Sequence, residues 1–300
     1  MRKLKIAVVG CGSAGPAAAI LLRRQGHDVE LFERAPLCLP VGAGFLLQPS
    51  GMTVLKELGI YGQVAARGSR IDRLHAIERG GRLLMDLRYA DVDRSLSGLG
   101  LHRPVLLEAL LGAMTEAGVM IHWDWEVVDL LRENGKSVLI STRGERSGPY
   151  DLLVVADGAR SALRQKAGFR GINHSYPWGA HWFIGTNPGV FPQNELYQIV
   201  DGTRKLLGFM PTGTGLDENG PSLTSLFWSI KLSDDEAVRN RPLDAWKREI
   251  LALHGGAGPF LDQISDWSQV LTARYGDVRM HHWHGEGVVI LGDAAHAMSP

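Results

Sequence analysis

The spacing of apolar residues over the first 35 positions predicts a strand, a helix and a second strand. Lys5 to Val9 is an apolar run typical of a buried parallel strand. Pro16 to Gln25 is rich in Ala, Leu and Arg and is predicted to be helical, with Gly26 as its stop. Asp28 to Glu33 alternates between polar and apolar residues, as a strand does. This order predicts a β-α-β unit.

The composition and the predicted elements of the remaining chain change at about residue 171. Before that point the predicted segments are a loop at 41–50, helices at 51–58 and 103–117, a hairpin at 73–89, and strands at 119–123, 126–131, 137–142 and 150–156. After it, tryptophans and Gly-Pro turns accompany strands at 180–185, 205–210 and 222–232, a helix at 234–253 and a last strand at 288–291.

This succession predicts an α/β fold (α+β overall), in which a Rossmann-like nucleotide-binding domain is interrupted by an antiparallel-sheet domain. We assign residues 1–70, 99–175 and 277–300 to the nucleotide-binding domain. Residues 71–98 and 176–276 form the inserted domain.

Composition narrows the class of protein. Lys+Arg and Asp+Glu both total 32, and this zero formal net charge argues against a general nucleic-acid binder. Cys11 and Cys38 are too few for a disulfide framework, which favours a reducing compartment. No apolar run reaches the ~18 residues of a membrane span. We therefore expect a cytoplasmic protein; the sequence leaves its oligomeric state open.

A glycine turn follows the first predicted strand and opens the helix. Gly10, Gly12 and Gly15 form the pattern G-x-G-x-x-G. These glycines allow a tight turn, the approach of a pyrophosphate and close packing of helix on strand. Glu33, at the end of the second strand, suits a ribose diol and disfavours a 2′-phosphate. The turn thus predicts FAD or NAD rather than NADP, and by itself does not separate the two.

Two further segments resemble motifs of one enzyme family. Residues 157–164, DGARSALR, resemble a D-G-x-x-S-x-x-R motif, and residues 292–300, GDAAHAMSP, resemble G-D-A-A-H-x-x-x-P. With the glycine turn, they occur in the order and approximate spacing of the class A flavin hydroxylases, the para-hydroxybenzoate hydroxylase family. The resemblance covers essentially the whole chain, although the middle third matches only in pattern.

The resemblance implies an FAD-dependent monooxygenase. NADH or NADPH would reduce the flavin, O2 would form a flavin C4a-hydroperoxide, and a small aromatic substrate would be hydroxylated. Asp293 would accept a hydrogen bond from the ribityl chain, Arg103 would approach the ribityl-phosphate portion, and residues 42–48 would lie beside the isoalloxazine ring. The cofactor-binding residues that we expect are Gly10, Gly12, Ser13, Ala14, Gly15, Glu33, Arg34, Gly44, Gln48, Arg103, Val127, Asp157, Gly158, Gly292 and Asp293.

Other conspicuous side chains have weaker interpretations. The sequence identifies no catalytic side chain. Residues 281–284, HHWH, lack a carboxylate or cysteine at useful spacing, so we expect no metal site. His181 and Tyr197 contact a phenol or, more commonly for such residues, pack in the fold. Trp178, Trp182 and Trp228 line an aromatic pocket or belong to the core. Ser161 is predicted to cap a helix, and Arg164 alone is typical of a solvated helix residue.

Three alternative functions stay open at this point. Residues 123–127, WDWEV, faintly echo a flavin-dependent halogenase motif but lack its proline. A reductase of prenyl double bonds and a non-catalytic flavin-binding module are the others. The family continues past the final proline with a loop under the flavin and a long helix. The resemblance therefore implies that a 300-residue form binds FAD weakly, exposes an apolar patch and oxidises NAD(P)H mostly to hydrogen peroxide.

Overall fold

The computed structural model describes residues 2–37 and 43–298, which fold as two compact units. The first unit comprises Met1–Pro40, Leu107–Ser175 and Tyr275–Pro300, and the second comprises Val41–Leu106 and Tyr176–Arg274. In this division into compact units, residues 41–70 and 99–106 belong to the second unit, whereas the predicted boundaries put them in the nucleotide-binding domain. The assignment of cofactor binding and substrate binding to separate domains stays a prediction.

The strands of the described residues are β1 (Lys5–Val9), β2 (Asp28–Phe32), β3 (Gly44–Leu47), β4 (Ser69–Ile71), β5 (Arg73–Glu78), β6 (Leu83–Arg88), β7 (Gly98–His102), β8 (Met120–His122), β9 (Val127–Glu133), β10 (Lys136–Ser141), β11 (Arg146–Tyr150), β12 (Leu152–Val155), β13 (Gly171–Thr186), β14 (Glu195–Asp201), β15 (Lys205–Gly213), β16 (Leu223–Lys231), β17 (Leu271–Met280), β18 (His284–Gly285) and β19 (Val288–Ile290). The α-helices are α1 (Ala14–Arg24), α2 (Pro49–Glu57), α3 (Tyr61–Ala66), α4 (Arg103–Glu116), α5 (Leu163–Lys166), α6 (Asp235–Arg239), α7 (Leu243–Leu251), α8 (Gly258–Leu261) and α9 (Asp293–His296). Among the helices of residues 2–37 and 43–298, none combines the length and apolar character that a bilayer crossing requires.

The first unit is built on a parallel sheet with the order β18-β19-β12-β1-β2-β8, in which only β18 pairs in antiparallel fashion. Numbered along the parallel part, β8-β2-β1-β12-β19 is the 3-2-1-4-5 order of a Rossmann-like fold, as predicted. Ile6, Ala7 and Val8 in the central strand are completely buried, because both faces of the sheet are covered. Helix α1 ends as expected, with Gly26 at a φ of +91°.

The second unit is built on a largely antiparallel sheet with the order β17-β13-β16-β15-β14-β5-β6. Strand β13 begins in the first unit, and the edge strand β17 ends there. One face packs against α7 and α8 through a core that includes Trp246, Phe260, Phe209 and Trp228. A small sheet, β3-β7-β4, completes the unit. The predicted antiparallel sheet is therefore present.

Several predicted elements are corrected by the structure. The helix predicted at 234–253 is two helices, α6 and α7, because Pro242 stands between them and cannot continue a helical ladder. Within the loop predicted at 41–50, residues 44–47 form β3 and α2 begins at Pro49. The prediction omitted strands β4, β7, β11, β14, β17 and β18.

Candidate functional site

The segments singled out in the first unit meet at one edge of its sheet. Strands β19, β12, β1 and β2 are adjacent and parallel, so their carboxyl ends point the same way. Each of these ends leads into a predicted segment: Gly292-Asp293, Asp157-Gly158, the glycine turn and Glu33. Ligands of open parallel sheets bind at this edge, where the order of strand connections reverses. In this sheet the reversal lies at β1.

The three glycines of the turn have different surroundings. Gly10 has a φ of +108°, and a Cβ there would lie 2.4 Å from the carbonyl oxygen of Ala156. A Cβ on Gly15 would lie 2.0 Å from the carbonyl oxygen of Gly10. At Gly12 a Cβ would meet no atom of residues 2–37 and 43–298 within 4 Å. The fold itself therefore requires Gly10 and Gly15, whereas Gly12 borders open space that a ligand can enter.

Helix α1 begins immediately after this open space. Ser13 is its N-cap residue but makes no side-chain capping hydrogen bond, and Ala14 is its first helical residue. The first N–H groups of an α-helix lack partners within the helix and favour an anion such as a phosphate. The turn and the helix end thus offer backbone donors at the same place.

The Glu33 carboxylate is held beside the turn. Its Oε2 accepts a hydrogen bond from the Cys11 backbone N–H at 2.7 Å, and its Oε1 accepts one from the Ala35 backbone N–H at 2.9 Å. A carboxylate oxygen has capacity for a further donor. Glu33 therefore lies beside the turn, and its contact with a ribose diol stays a prediction. Neighbouring Arg34 is exposed.

Asp157 follows β12 at the same sheet edge. Its Oδ1 is buried and has no hydrogen-bond partner among the described residues, and burial raises the pKa of this carboxyl group. Gly158 has a φ of +88°, and a Cβ added there would have no neighbour within 4 Å in the part of the chain that the structure describes. A buried polar atom without a partner is costly in a folded protein. The orphaned oxygen next to open space is therefore suited to a ligand.

Ser161 and Arg164 correct two predictions about the segment after Asp157. The N-cap residue of α5 is Ala162 rather than Ser161, although the Ser161 hydroxyl does accept the Arg164 backbone N–H at 3.2 Å. Arg164 is not solvated: it is 6% exposed, and burial lowers the pKa of its guanidinium. It donates to the carbonyl oxygens of Ala294, at 3.1 Å, and Ala159. Arg164 thus links the loop after Asp157 to helix α9, which begins at Asp293.

The last predicted segment packs on the start of α1. Gly292 has a φ of +57°, and a Cβ there would lie 2.7 Å from the Cβ of Ala14. Asp293 is exposed at the first position of α9. Val127, expected near the cofactor, is 7% exposed and its side chain packs in the core of the first unit. Only its backbone or a neighbouring residue could then face a ligand.

Three predicted cofactor residues lie in the second unit. A Cβ on Gly44 would lie 2.5 Å from the Thr212 methyl group and 2.9 Å from the Ser225 Cβ, so packing within this unit requires glycine. The Gln48 Oε1 accepts the Tyr89 hydroxyl at 2.7 Å, and Arg103 begins α4 with an exposed side chain. Gly42 lies outside the described residues. Contact of this group with a cofactor stays a prediction.

The histidine and tyrosine that could contact a phenol are packed within the fold. His181 is fully buried, its Nε2 lies 2.8 Å from Asp235 Oδ1, and burial lowers its pKa. The rings of Trp246 and Trp267 lie edge-on to it. Tyr197 packs between His75 and His254.

The three tryptophans that could line an aromatic pocket differ in solvent exposure. Trp228 is 3% exposed and belongs to the core, as one of the two interpretations held. Trp182 is half-buried, and Trp178 is exposed. In the 281–284 segment, the Trp283 ring lies 5.3 Å from that of His296. Within the ranges that the structure describes, no three His, Cys, Asp or Glu side chains are grouped as metal ligands.

Comparison with known proteins identifies the family of this chain. Residues 3–300 match the family described as FAD binding domain. A putative FAD-dependent monooxygenase of Bacillus subtilis is 28% identical over 98% of this chain and 78% of its own length. Kynurenine 3-monooxygenase of Salinispora tropica is 32% identical over 100% of this chain and 68% of its own length.

Solved structures show the same fold. The tetrameric form of 2-methyl-3-hydroxypyridine-5-carboxylic acid oxygenase aligns with a TM-score of 0.82 at 22% identity, over 100% of this chain and 77% of that one. Pseudomonas aeruginosa PqsL in complex with 2-aminobenzoylacetate aligns with a TM-score of 0.84 at 21% identity, over 99% and 80%. Together with the site at the sheet edge, these matches show that the chain belongs to the FAD-binding domain family and is an FAD-dependent monooxygenase of the class A hydroxylase type.

Proposed function

We propose that this chain binds FAD at the carboxyl edge of the parallel sheet and hydroxylates a small aromatic molecule with NADH or NADPH and O2. The observation that carries the proposal is the open space at Gly12, flanked by the amino end of α1 and by Glu33. Protein atoms occupy the space beside Gly10 and Gly15, whereas the space at Gly12 can accept a pyrophosphate.

The residues present fit FAD. Gly10, Gly12, Ser13, Ala14 and Gly15 would hold the pyrophosphate through backbone N–H groups. Glu33 would hold the adenosine ribose. Arg34 and the backbone of Val127 stay expected contacts of the cofactor. The orphaned Oδ1 of Asp157 and the exposed carboxylate of Asp293 would accept hydrogen bonds from hydroxyl groups of the cofactor. By resemblance, Gly158, Gly292, Gly44, Gln48 and Arg103 complete the set.

When bound, FAD supplies the redox chemistry that accepts hydride from NAD(P)H and transfers one oxygen atom of O2 to the substrate. The chain's own task is to bind, orient and exclude water. Arg164 serves this task by holding the Ala159 and Ala294 carbonyl groups, and therefore the segments that contain Asp157 and Asp293, in fixed positions. No acid–base pair is needed for such a role.

The substrate proposal draws on the relatives' names. These include kynurenine 3-monooxygenase, 3-amino-4-hydroxybenzoate 2-monooxygenase and a probable 2-heptyl-3-hydroxy-4(1H)-quinolone synthase. They favour an aromatic hydroxylase over a halogenase, a prenyl reductase or a non-catalytic module. We further propose that the second unit provides the substrate surface and that the protein acts in the cytoplasm, where NAD(P)H is available.

The test begins with the purified protein's spectrum and the flavin released on denaturation. We expect FAD, and finding only FMN or NAD would contradict the assignment. NAD(P)H oxidation and O2 uptake are then measured over small aromatic compounds, with product analysis in ¹⁸O2. Incorporation of one labelled oxygen atom supports hydroxylation. NAD(P)H consumption without O2 uptake would instead identify a reductase, and absence of turnover with bound FAD would favour the binding module.

A further inference from the structure

One side-chain hydrogen bond of the second unit orients Gln48, a residue that we expect to contact the cofactor. The Gln48 Oε1 accepts the Tyr89 hydroxyl at 2.7 Å, across 41 positions of sequence. Gln48 is the N-cap residue of α2 and Pro49 follows it, but the Gln48 side chain makes no capping hydrogen bond. The start of the helix therefore fixes the Gln48 backbone, whereas Tyr89 determines which way the amide group turns.

Tyr89 is itself held firmly in place. A Cβ on Gly98 of β7 would lie 2.8 Å from the Tyr89 hydroxyl oxygen and 2.7 Å from Cδ1 of Leu46 in β3, so the hydroxyl occupies a place that requires glycine. The Tyr89 N–H donates to the Asp72 carbonyl oxygen at 3.2 Å, and the Tyr89 carbonyl oxygen accepts the Val92 N–H at 3.1 Å. Burial raises the pKa of Tyr89, so its hydroxyl stays protonated and can donate at neutral pH.

The bond to Tyr89 decides what the Gln48 amide can offer to a ligand. A glutamine side chain has one carbonyl acceptor and an NH2 group with two donors. The carbonyl oxygen of Gln48 is engaged, whereas its NH2 group has no hydrogen-bond partner among the residues that the structure describes. The side chain is exposed, so these N–H groups are open to a molecule that arrives from solvent. The ligand atom that complements Gln48 is therefore an acceptor.

We propose that Tyr89 is a positioning residue, which holds the Gln48 amide so that it donates to an acceptor oxygen of FAD. This inference rests on the proposed function, in which Gln48 contacts the cofactor. The acceptor is a carbonyl oxygen of the isoalloxazine ring or an oxygen of the ribityl-phosphate chain, since either can accept an N–H. Without the tyrosine hydroxyl, the long glutamine side chain regains rotamer freedom, and ordering it again weakens binding.

A double-mutant cycle on FAD affinity tests this coupling. Tyr89→Phe keeps the ring and removes the hydroxyl, and Gln48→Met keeps a similar side-chain length and removes the amide donors. Each change should raise the Kd of FAD by about 3- to 10-fold, the range for a neutral hydrogen bond. The double variant should bind no more weakly than Gln48→Met alone, because Tyr89 acts through Gln48. Additive effects, or native affinity in either single variant, would overturn the inference.

Three further variants separate positioning from general effects. Tyr61→Phe removes the hydroxyl of another half-buried tyrosine in the second unit and should bind FAD like the native chain. Gln48→Glu keeps an acceptor for Tyr89 but replaces the NH2 donors with a carboxylate oxygen, so it should lose more affinity than Gln48→Met. Ser50→Glu adds the same charge two residues away and should lose less than Gln48→Glu. Binding by Gln48→Glu as tight as that of Gln48→Met would contradict the donor role.

The reduction potential of bound FAD identifies the acceptor oxygen. Reduction adds negative charge to the isoalloxazine ring, so a hydrogen bond donated to a ring carbonyl favours the reduced form. With an acceptor on the ring, Tyr89→Phe and Gln48→Met should both lower the potential; with an acceptor on the ribityl-phosphate chain, affinity alone should change. A higher potential in both variants would overturn the inference.

Failure of this inference differs from failure of the proposed function. A native protein that releases no FAD on denaturation loses the proposed function, and the inference with it. A native protein that releases FAD, but whose double-mutant cycle is additive, keeps the function and loses only the role of Tyr89.

Discussion

The difference between Gly12 and its neighbouring glycines predicts that folding and cofactor binding can be separated within one turn. In Gly12→Val, the new side chain enters space in which the described part of the chain has no atom within 4 Å of the Cβ. The cofactor-free fold should tolerate this change. Gly15→Ala should not be tolerated equally, because its Cβ would lie 2.0 Å from the Gly10 carbonyl oxygen. Gly112→Val is a matched control, since Gly112 also borders open space but lies within α4.

The magnitudes follow from the contacts. Forced overpacking costs about 1–3 kcal/mol, so Gly15→Ala should lower the free energy of unfolding by at least that amount. A hydrogen bond to a charged group contributes about 1.5–3 kcal/mol. If the valine prevents two backbone N–H groups from reaching the pyrophosphate, Gly12→Val should lose about 3–6 kcal/mol of FAD binding. That loss raises the Kd by roughly 10² to 10⁴-fold.

Two measurements on each protein test this reasoning. Thermal unfolding of the flavin-stripped protein reports on the fold, and quenching of FAD fluorescence reports on affinity. We expect Gly12→Val to unfold like the native chain while failing to retain FAD, and Gly112→Val to resemble the native chain in both. A Gly12→Val protein that binds FAD within about threefold of the native Kd would exclude this turn as the pyrophosphate site.

Three further changes should be informative. Arg103→Ala should weaken FAD binding by about 1.5–3 kcal/mol without altering thermal unfolding; unchanged affinity would make Arg103 a surface residue. Arg164→Met leaves the Ala159 and Ala294 carbonyl groups without their donor, so the free energy of unfolding should fall by about 2–4 kcal/mol and FAD affinity should fall with it; native stability would refute the clamp. Burial lowers the pKa of His254, so stability should decline as pH falls below the unfolded-state pKa of about 6.5, and less steeply in His254→Phe; equal slopes in urea titrations from pH 8 to 5 would contradict this.

The β-α-β start could be predicted because its signals are local. The apolar run of β1, the glycine turn and the helix stop at Gly26 each depend on neighbouring residues in the sequence. The long inserted segments were harder. Strand β14 pairs in parallel with β5 from more than a hundred residues earlier, and no local pattern reports such a partner. The helix predicted at 234–253 was too long because the apolar periodicity continues across Pro242. Proline has no backbone N–H to continue a helix, so α6 and α7 are separate.

The sequence by itself determined which residue types lie at the carboxyl edge of the parallel sheet: glycines at the turn, Glu33 after β2, and aspartates after β12 and β19. The tertiary structure decided what each one does, because contact distances depend on strands that are far apart in the chain. It separated Gly12, which faces open space, from Gly10 and Gly15, which the fold fills. It buried Arg164, which looks like a surface residue in sequence, between two loops. It also placed the Tyr89 hydroxyl against the Gln48 amide, since only folding brings together two side chains that lie 41 positions apart in the chain.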